Sequence, residues 1–241
     1  MSSIKKLPIL IFARMNSKRL KGKMLMKIGK KSLIFHIIDR VKKIKNKKNI
    51  ILATSNKKSD DNLVKEARKK KIKIFRGNLN NVVNRAIDCC EKYNLDSFVR
   101  ICGDRVFLDY KEVDNAIKKF TQSKKKIDIA SNLFEGKIPS GKTIEIISCS
   151  ALKKIYKKKL TSFDLEHLTT YFYKNKNQFK ILKLKKPSLF KNLSYSYAID
   201  TVNDYKRIQY IYDKLKNLSV KNNRQILAAT KKWYLKKKDR I

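Results

Sequence analysis

From residue 7 onward the chain alternates short apolar runs with longer stretches in which apolar residues recur every three or four positions. A run such as Pro8 to Ala13, apolar on both faces, reads as a central parallel strand. Similar runs at 49–54, 72–75, 97–102 and 127–131 predict further strands. Between them, 32–44, 58–70, 80–93 and 110–121 carry the helical period, with Ser59 and Asp60 as a capping start for the second. Strands alternating with helices predict an α/β fold, a mostly parallel sheet joined by crossover helices. Beyond 131 the pattern is mixed, with strands expected at 142–148, 179–184 and 195–199 and helices at 148–157, 163–175 and 203–216. The closing KKWYLKKKDRI reads as a solvated tail or helix end. No internal repeat or long linker interrupts this pattern, so 1–241 is expected to form one domain. Its parts are an α/β core (1–131), a substrate-facing segment (132–216) and a basic C-terminal helix or tail (217–241).

A length of 241 residues suits one such domain with a sizeable core. No stretch approaches the roughly twenty apolar residues of a membrane span, so a soluble, cytoplasmic protein is expected. Two lysines before a short apolar run could mimic a secretory signal. That run, however, contains Pro8 and meets Arg14 with no small-residue cleavage site. Cys89, Cys90, Cys102 and Cys149 form no C-x-x-C pair, which argues against a zinc site. They are expected to be reduced and mostly buried.

The formal net charge of +41 would ordinarily point to nucleic acid or an anionic membrane. The distribution argues otherwise. Of the 61 basic residues only 11 are arginine, the residue that bidentate recognition prefers, and the lysines lie along nearly every predicted helix and turn. No aromatic RNA-binding signature or zinc-finger spacing accompanies them. An abundance of lysine, asparagine and isoleucine, all served by A/T-rich codons, accounts for the charge without a specific nucleic-acid function. Nonspecific, salt-sensitive binding to RNA or DNA is still expected.

Two constellations carry candidate chemistry. After the first strand, Arg14, Ser17, Arg19 and Lys23 fall where α/β sheets bind ligands, at the carboxyl end of a central strand. Guanidinium forks can take two phosphate oxygens each, and Lys23 can act as a mobile point charge, so this loop could hold a polyphosphate. Asp104 and Asp200 each follow a predicted strand and could meet at one sheet edge. There they would be able to hold Mg²⁺ against a triphosphate. Taken singly, Asp104 also suits a turn after Gly103, and Asp200 a helix cap with Thr201 or Asn203 as rivals.

The segment A-R-M-N-S-K-R-L-K-G-K at 13–23, followed by K-S-L-I-F-H-I-I-D-R at 31–40, resembles the opening of bacterial sugar-nucleotide cytidylyltransferases. The nearest likeness is to the spore coat polysaccharide biosynthesis protein F type, alongside the acylneuraminate and 3-deoxy-manno-octulosonate cytidylyltransferases. Matching blocks follow in order: ATSNKKSDDNLVKEA at 53–67, VRICGDRVFLD at 99–109, EHLTTYFY at 166–173 and AIDTVNDY at 198–205. Asn16 and Lys21 replace the family's glycine and proline, and Val202 and Asn203 its proline and glutamate.

The resemblance implies a Rossmann-like nucleotide-diphospho-sugar transferase fold and transfer of CMP from CTP to an acidic or phosphorylated sugar. Pyrophosphate would be released, in the service of surface polysaccharide or glycan synthesis. It makes 1–131 the nucleotide-binding part and 132–216 the acceptor-binding part. It assigns the nucleotide to Ala13, Arg14, Ser17, Arg19, Lys23, Thr54 and Arg85, the metal Mg²⁺ to Asp104 and Asp200, and catalysis to Arg14, Lys23 and both aspartates. Base recognition is expected among Thr54, Ser55, Arg76, Gly77 and Arg85, although Arg85 equally suits a solvent-facing helix position and Arg100 an ion-pair anchor. The acceptor is expected near Lys142, Glu145, Glu166 and His167, on a helix that also carries Tyr171. Leu165 stands where the family has an arginine, so an anionic acceptor would need another cation, such as Arg105. His36, on the apolar face of the first helix, reads as structural. A homodimer is left open. Two rival readings are a glycosyltransferase of related fold, which G-D-R in place of D-x-D disfavours, and a basic nucleic-acid-binding protein.

Overall fold

The computed structural model describes residues 5–186, 189, 195–216 and 222–238. Strand β1 (Leu7–Phe12) is buried along its whole length and leads into a short hairpin, β2 (Lys27–Ile28) and β3 (Lys31–Ser32). Helix α1 (Leu33–Val41) returns to β4 (Lys47–Ser55), α2 (Asp61–Arg68) to β5 (Lys73–Gly77), and α3 (Val82–Lys92) to β6 (Ser97–Cys102). Helix α4 (Tyr110–Thr121) then opens the second half, with β7 (Ile129–Ser131), β8 (Glu145–Ser148), α5 (Cys149–Tyr156), α6 (Ser162–Glu166), α7 (Thr170–Lys174) and β9 (Ile181–Lys183). Helices α8 (Val202–Leu215) and α9 (Asn223–Lys238) close the chain.

The seven-stranded sheet runs in the order β5-β4-β1-β6-β8-β7-β9. Its first four strands are mutually parallel; β8 lies antiparallel to both β6 and β7, and β9 is parallel to β7. The sheet is therefore mostly parallel and flanked by helices, as expected. Alternation along β1 sends Ile9 and Ile11 to one face and Leu10 and Phe12 to the other. The first face packs on α1, α2, α4, α8 and α9, and the second on α3, α5 and α7. No helix among the described residues is long and apolar enough to cross a membrane.

The structure corrects three local expectations. Residues 195–199 form no strand. The helix expected over 163–175 breaks into α6 and α7, because the chain turns at His167–Thr169 to bury Leu168 and hand the Thr169 hydroxyl to Glu145 at 2.9 Å. That tertiary bond overrides the local helical period. Of the two options for the C-terminal segment, helix or tail, the described residues form the helix α9, with Ile226, Leu227 and Ala229 buried and the Trp233 ring 5.3 Å from that of Tyr210. Finally, Cys90 and Cys149 form a disulfide, with Cα atoms 6.4 Å apart, because α3 packs beside α5; Cys89 and Cys102 are free. A separation of 59 residues offers no local signal of that pairing.

Candidate active site

Parallel strands leave the carboxyl ends of β1 and β6 side by side, and a cleft of about 510 Å³ opens above them. The segment after β1 forms one wall. It folds around the Met15 peptide, whose carbonyl accepts from Ser17 N at 3.0 Å and Gly22 N at 2.9 Å. The Met15 N–H donates to Asp60 Oδ1 at 2.7 Å. Asp60 stands at the start of α2 but does not cap it with its side chain, contrary to the expected role. Its other oxygen accepts from Thr54 Oγ1 (2.9 Å), Ser55 N (3.0 Å) and Ser55 Oγ (2.5 Å). One buried carboxylate thus ties the loop to the end of β4.

The opposite wall follows β6. Gly103 N donates to Phe12 O at 2.8 Å, and a Cβ at Gly103 would lie 2.7 Å from Ala13 Cβ and 3.0 Å from Met24 Cε. Only glycine admits this approach, which carries Asp104 to the rim of the loop. Across it Lys23, nearly buried, directs its ammonium at Ile199 O (2.6 Å), Asp200 Oδ1 (3.1 Å) and Asp104 Oδ2 (3.9 Å). Arg19 pairs with the other Asp200 oxygen at 3.0 Å. Thr201, not Asp200, caps α8, in a reciprocal box with Asp204. The Asp200 carboxylate is thereby left to the cleft, facing the same ammonium as Asp104.

Arg14 donates to Leu79 O at 3.1 Å and pairs with Glu166 of α6 across the cleft. Burial works against ionisation of Glu166, but the Arg14 hydrogen bond and charge, together with the other groups around it, outweigh it and hold the carboxyl below its ordinary range. Arg85 is buried, its guanidinium 5.9 Å over the Phe12 ring and donating to Asn78 O at 3.0 Å. Burial, aided by the charge of Arg14, lowers its pKa to about 10. Among the described residues no carboxylate pairs with it, and its Nε has no partner. Gly77 makes room for it: a Cβ there would lie 2.9 Å from Arg85 Cγ.

Behind the cleft, Arg100 and Glu145 face each other across the antiparallel β6–β8 ladder and pair at 2.5 Å. Arg105 reaches the same Glu145 oxygen at 3.4 Å, while Thr169 Oγ1 and Tyr173 OH donate to the other, each at 2.9 Å. Burial opposes a charge on Glu145. The two guanidiniums more than offset that, and its pKa falls to about 2.

The cleft therefore brings together Ala13, Arg14, Ser17, Arg19, Lys23, Arg85, Asp104, Glu166, His167 and Asp200. It does not bring in Thr54 or Ser55, which are buried on Asp60, nor Arg76, which pairs with Asp61 at 2.6 Å. Glu145 is engaged by Arg100 and Arg105 behind the cleft wall, so Arg105 is not a spare cation for an acceptor. Lys142 lies apart, donating to Phe107 O (2.8 Å) and Asn223 Oδ1 (2.7 Å), where burial lowers its pKa to about 7. Tyr171 packs edge-on against Phe179, and Leu165 does not line the cleft. His36 is structural, with Nε2 2.8 Å from Ile28 O. Sequence reasoning missed Lys18, Val82 and Phe163 on the cleft, and Asp60 beneath it. Phe163, largely exposed beside His167 with ring centroids 4.2 Å apart, carries no motif that would have marked it.

A mostly parallel α/β sheet with a cation-rich, carboxylate-edged cleft at its strand ends presents that cleft where such sheets bind ligands, and the cations suit a polyanionic one. The chain belongs to the cytidylyltransferase family, whose sequence model matches residues 9–237. It is 29% identical over 210 residues to the spore coat polysaccharide biosynthesis protein SpsF of Bacillus subtilis, covering 85% of each chain. A cytidylyltransferase from Leptospira borgpetersenii superposes with a TM-score of 0.87 at 28% identity, covering 95% of both chains. CMP:2-keto-3-deoxy-manno-octonic acid synthetase, solved with CTP, shares the fold at a TM-score of 0.67 and 15% identity, over 88% of this chain and 100% of that one.

Proposed function

We propose that the protein transfers CMP from CTP to an acidic or phosphorylated sugar, releasing pyrophosphate, in the cytoplasmic synthesis of surface polysaccharide or glycan. The observation that carries this reading is Lys23 and Arg19 set against Asp104 and Asp200 at the end of the β1 loop. In this reading Arg19 and Lys23, with Arg14, bind the triphosphate oxygens, and Arg85 meets the nucleotide beside Phe12. Guanidinium and ammonium groups fixed in a cleft neutralise charge as it moves toward pyrophosphate, without reorganising at the moment of reaction. The acceptor oxygen attacks the α-phosphorus in line, and no covalent enzyme intermediate is needed.

Asp104 and Asp200 would hold Mg²⁺. Two hard carboxylates suit an ion that takes few protein ligands and completes its shell with water and phosphate, and the Lys23 ammonium set against both supports a cation there. When bound, the ion supplies charge compensation at the phosphates. Lys18 and Arg85, which no carboxylate pairs with among the described residues, add to the cationic lining and favour an anionic acceptor. The relationship to SpsF supports the surface-polysaccharide role.

The test is thermal stabilisation by CTP, UTP, ATP and GTP with and without Mg²⁺ at high salt, followed by pyrophosphate release with sugar acids and sugar phosphates. Ligand at a hundred times its dissociation constant adds about 2.7 kcal/mol. Stabilisation should be greatest with CTP and Mg²⁺ and should fall away in Asp104→Ala and Lys23→Met. Equal, metal-independent responses to all four triphosphates would instead mean a nonspecific polyanion binder.

A further inference from the structure

The bridge between Arg14 and Glu166 joins the two halves of the cleft. Arg14 leaves the end of β1, where the triphosphate binds in the reading above, and Glu166 ends α6, on the acceptor side. Neither side chain is locked in the core: Arg14 is 23% and Glu166 34% exposed. The Lys18 ammonium and the His167 ring also face Glu166, but Arg14 is the one that hydrogen-bonds it. Helix α6 has five residues and is held by its Thr161–Asp164 capping box and the Lys174–Asp164 pair at 3.0 Å, not by a strand ladder. A triphosphate offers a guanidinium several oxygens and more charge than one carboxylate does.

We propose that Glu166 is a positioning residue that acts through Arg14. Without nucleotide it holds the guanidinium across the cleft; the triphosphate takes Arg14 from it; and the freed carboxylate then accepts a hydrogen bond from an acceptor hydroxyl, between Phe163 and His167. Each nucleotide-binding event is therefore weakened by the ion pair it must break. This rests on the cytidylyltransferase reading, since the competitor for Arg14 is the triphosphate of CTP.

Titration calorimetry of CTP with Mg²⁺ into the full chain, Glu166→Gln, Arg14→Ala and the double variant tests it. Glu166→Gln removes the competitor and should bind CTP about two- to fivefold more tightly, the range expected for a half-exposed ion pair. Arg14→Ala should bind more weakly, and in that background Glu166→Gln should change nothing. The double variant matters because removing any negative charge near the cleft favours a polyanion; an equal gain without Arg14 would reduce the effect to bulk electrostatics and overturn the proposal. Unchanged or weaker binding by Glu166→Gln, with the unaltered protein binding CTP normally, would sink this inference alone. No CTP binding by the unaltered protein would sink it together with the proposed function.

Discussion

Asp60 offers the sharpest test of how the loop after β1 is held. Its carboxylate accepts from Met15 N, Thr54 Oγ1, Ser55 N and Ser55 Oγ, and Asp60, Thr54 and Ser55 are all fully buried. Asp60→Ala would leave four donors facing a small void. Hydrogen bonds to a charged partner contribute about 1.5–3 kcal/mol each, but four bonds to one group are strongly coupled, and simple addition overshoots. Leaving a buried donor unsatisfied costs about 1–3 kcal/mol, and with four coupled donors the total is on the order of 3–5 kcal/mol, which for a chain of this size lowers Tm by roughly 6–20 °C. Thr54→Val removes one donor and leaves the carboxylate with three, so its cost should be nearer 1 kcal/mol. Urea unfolding gives both values, and CTP titration at a temperature where Asp60→Ala is folded reads the loop. Affinity should fall in Asp60→Ala because Met15, whose carbonyl accepts from Ser17 N and Gly22 N, is no longer anchored through its N–H. A loss below about 1 kcal/mol in Asp60→Ala would refute the hub.

Two further outcomes follow from the buried pairings. The Glu145 carboxyl is depressed to about 2 from an ordinary 4.5, so the stability it contributes is present above pH 4.5 and drains as pH falls toward 2; Glu145→Gln should be less stable at pH 7 and should show a shallower acid limb in pH-dependent unfolding, and an unchanged limb would count against the Arg100–Glu145–Arg105 account. The Cys90–Cys149 disulfide closes a loop of separation 59, for which chain entropy predicts about 4 kcal/mol as an upper estimate; Cys90→Ser should unfold at lower urea than the oxidised protein, and alkylation under denaturing, non-reducing conditions should label two cysteines of the unaltered chain, whereas labelling of all four would remove the bond from consideration.

Much of the fold was legible because its signals are local. Continuous apolar runs marked β1, β4 and β6 to within two residues, and α4 ran from Tyr110 to Thr121 as its period predicts. Asp104 and Asp200 could be proposed from their positions after apolar runs, and the loop cations from their chemistry. What escaped was decided between distant segments. Thr54 looked like a base reader until Asp60 claimed it, and Lys142 looked like an acceptor ligand until α9 brought Asn223 to it. The break at His167–Thr169 exists because Glu145, more than twenty residues earlier, accepts the Thr169 hydroxyl. The basic, weakly amphipathic α9 carried too faint a pattern to distinguish a docked helix from a tail.

The placement of Glu166 and His167 on and just after a five-residue helix has a consequence for redesign. Residues 162–167 are held by a cap, the Lys174–Asp164 and Arg14–Glu166 ion pairs and packing on α3, with no strand ladder, whereas the cations and aspartates of the nucleotide end are bound into the sheet, its loops and the Asp60 hub. The short segment can be exchanged or lengthened without unpicking a strand ladder. New acceptors can therefore be sought by grafting alternative segments at 162–167 that keep Glu166 onto an otherwise unaltered chain, so that the partner of Arg14 in the nucleotide's cradle is retained.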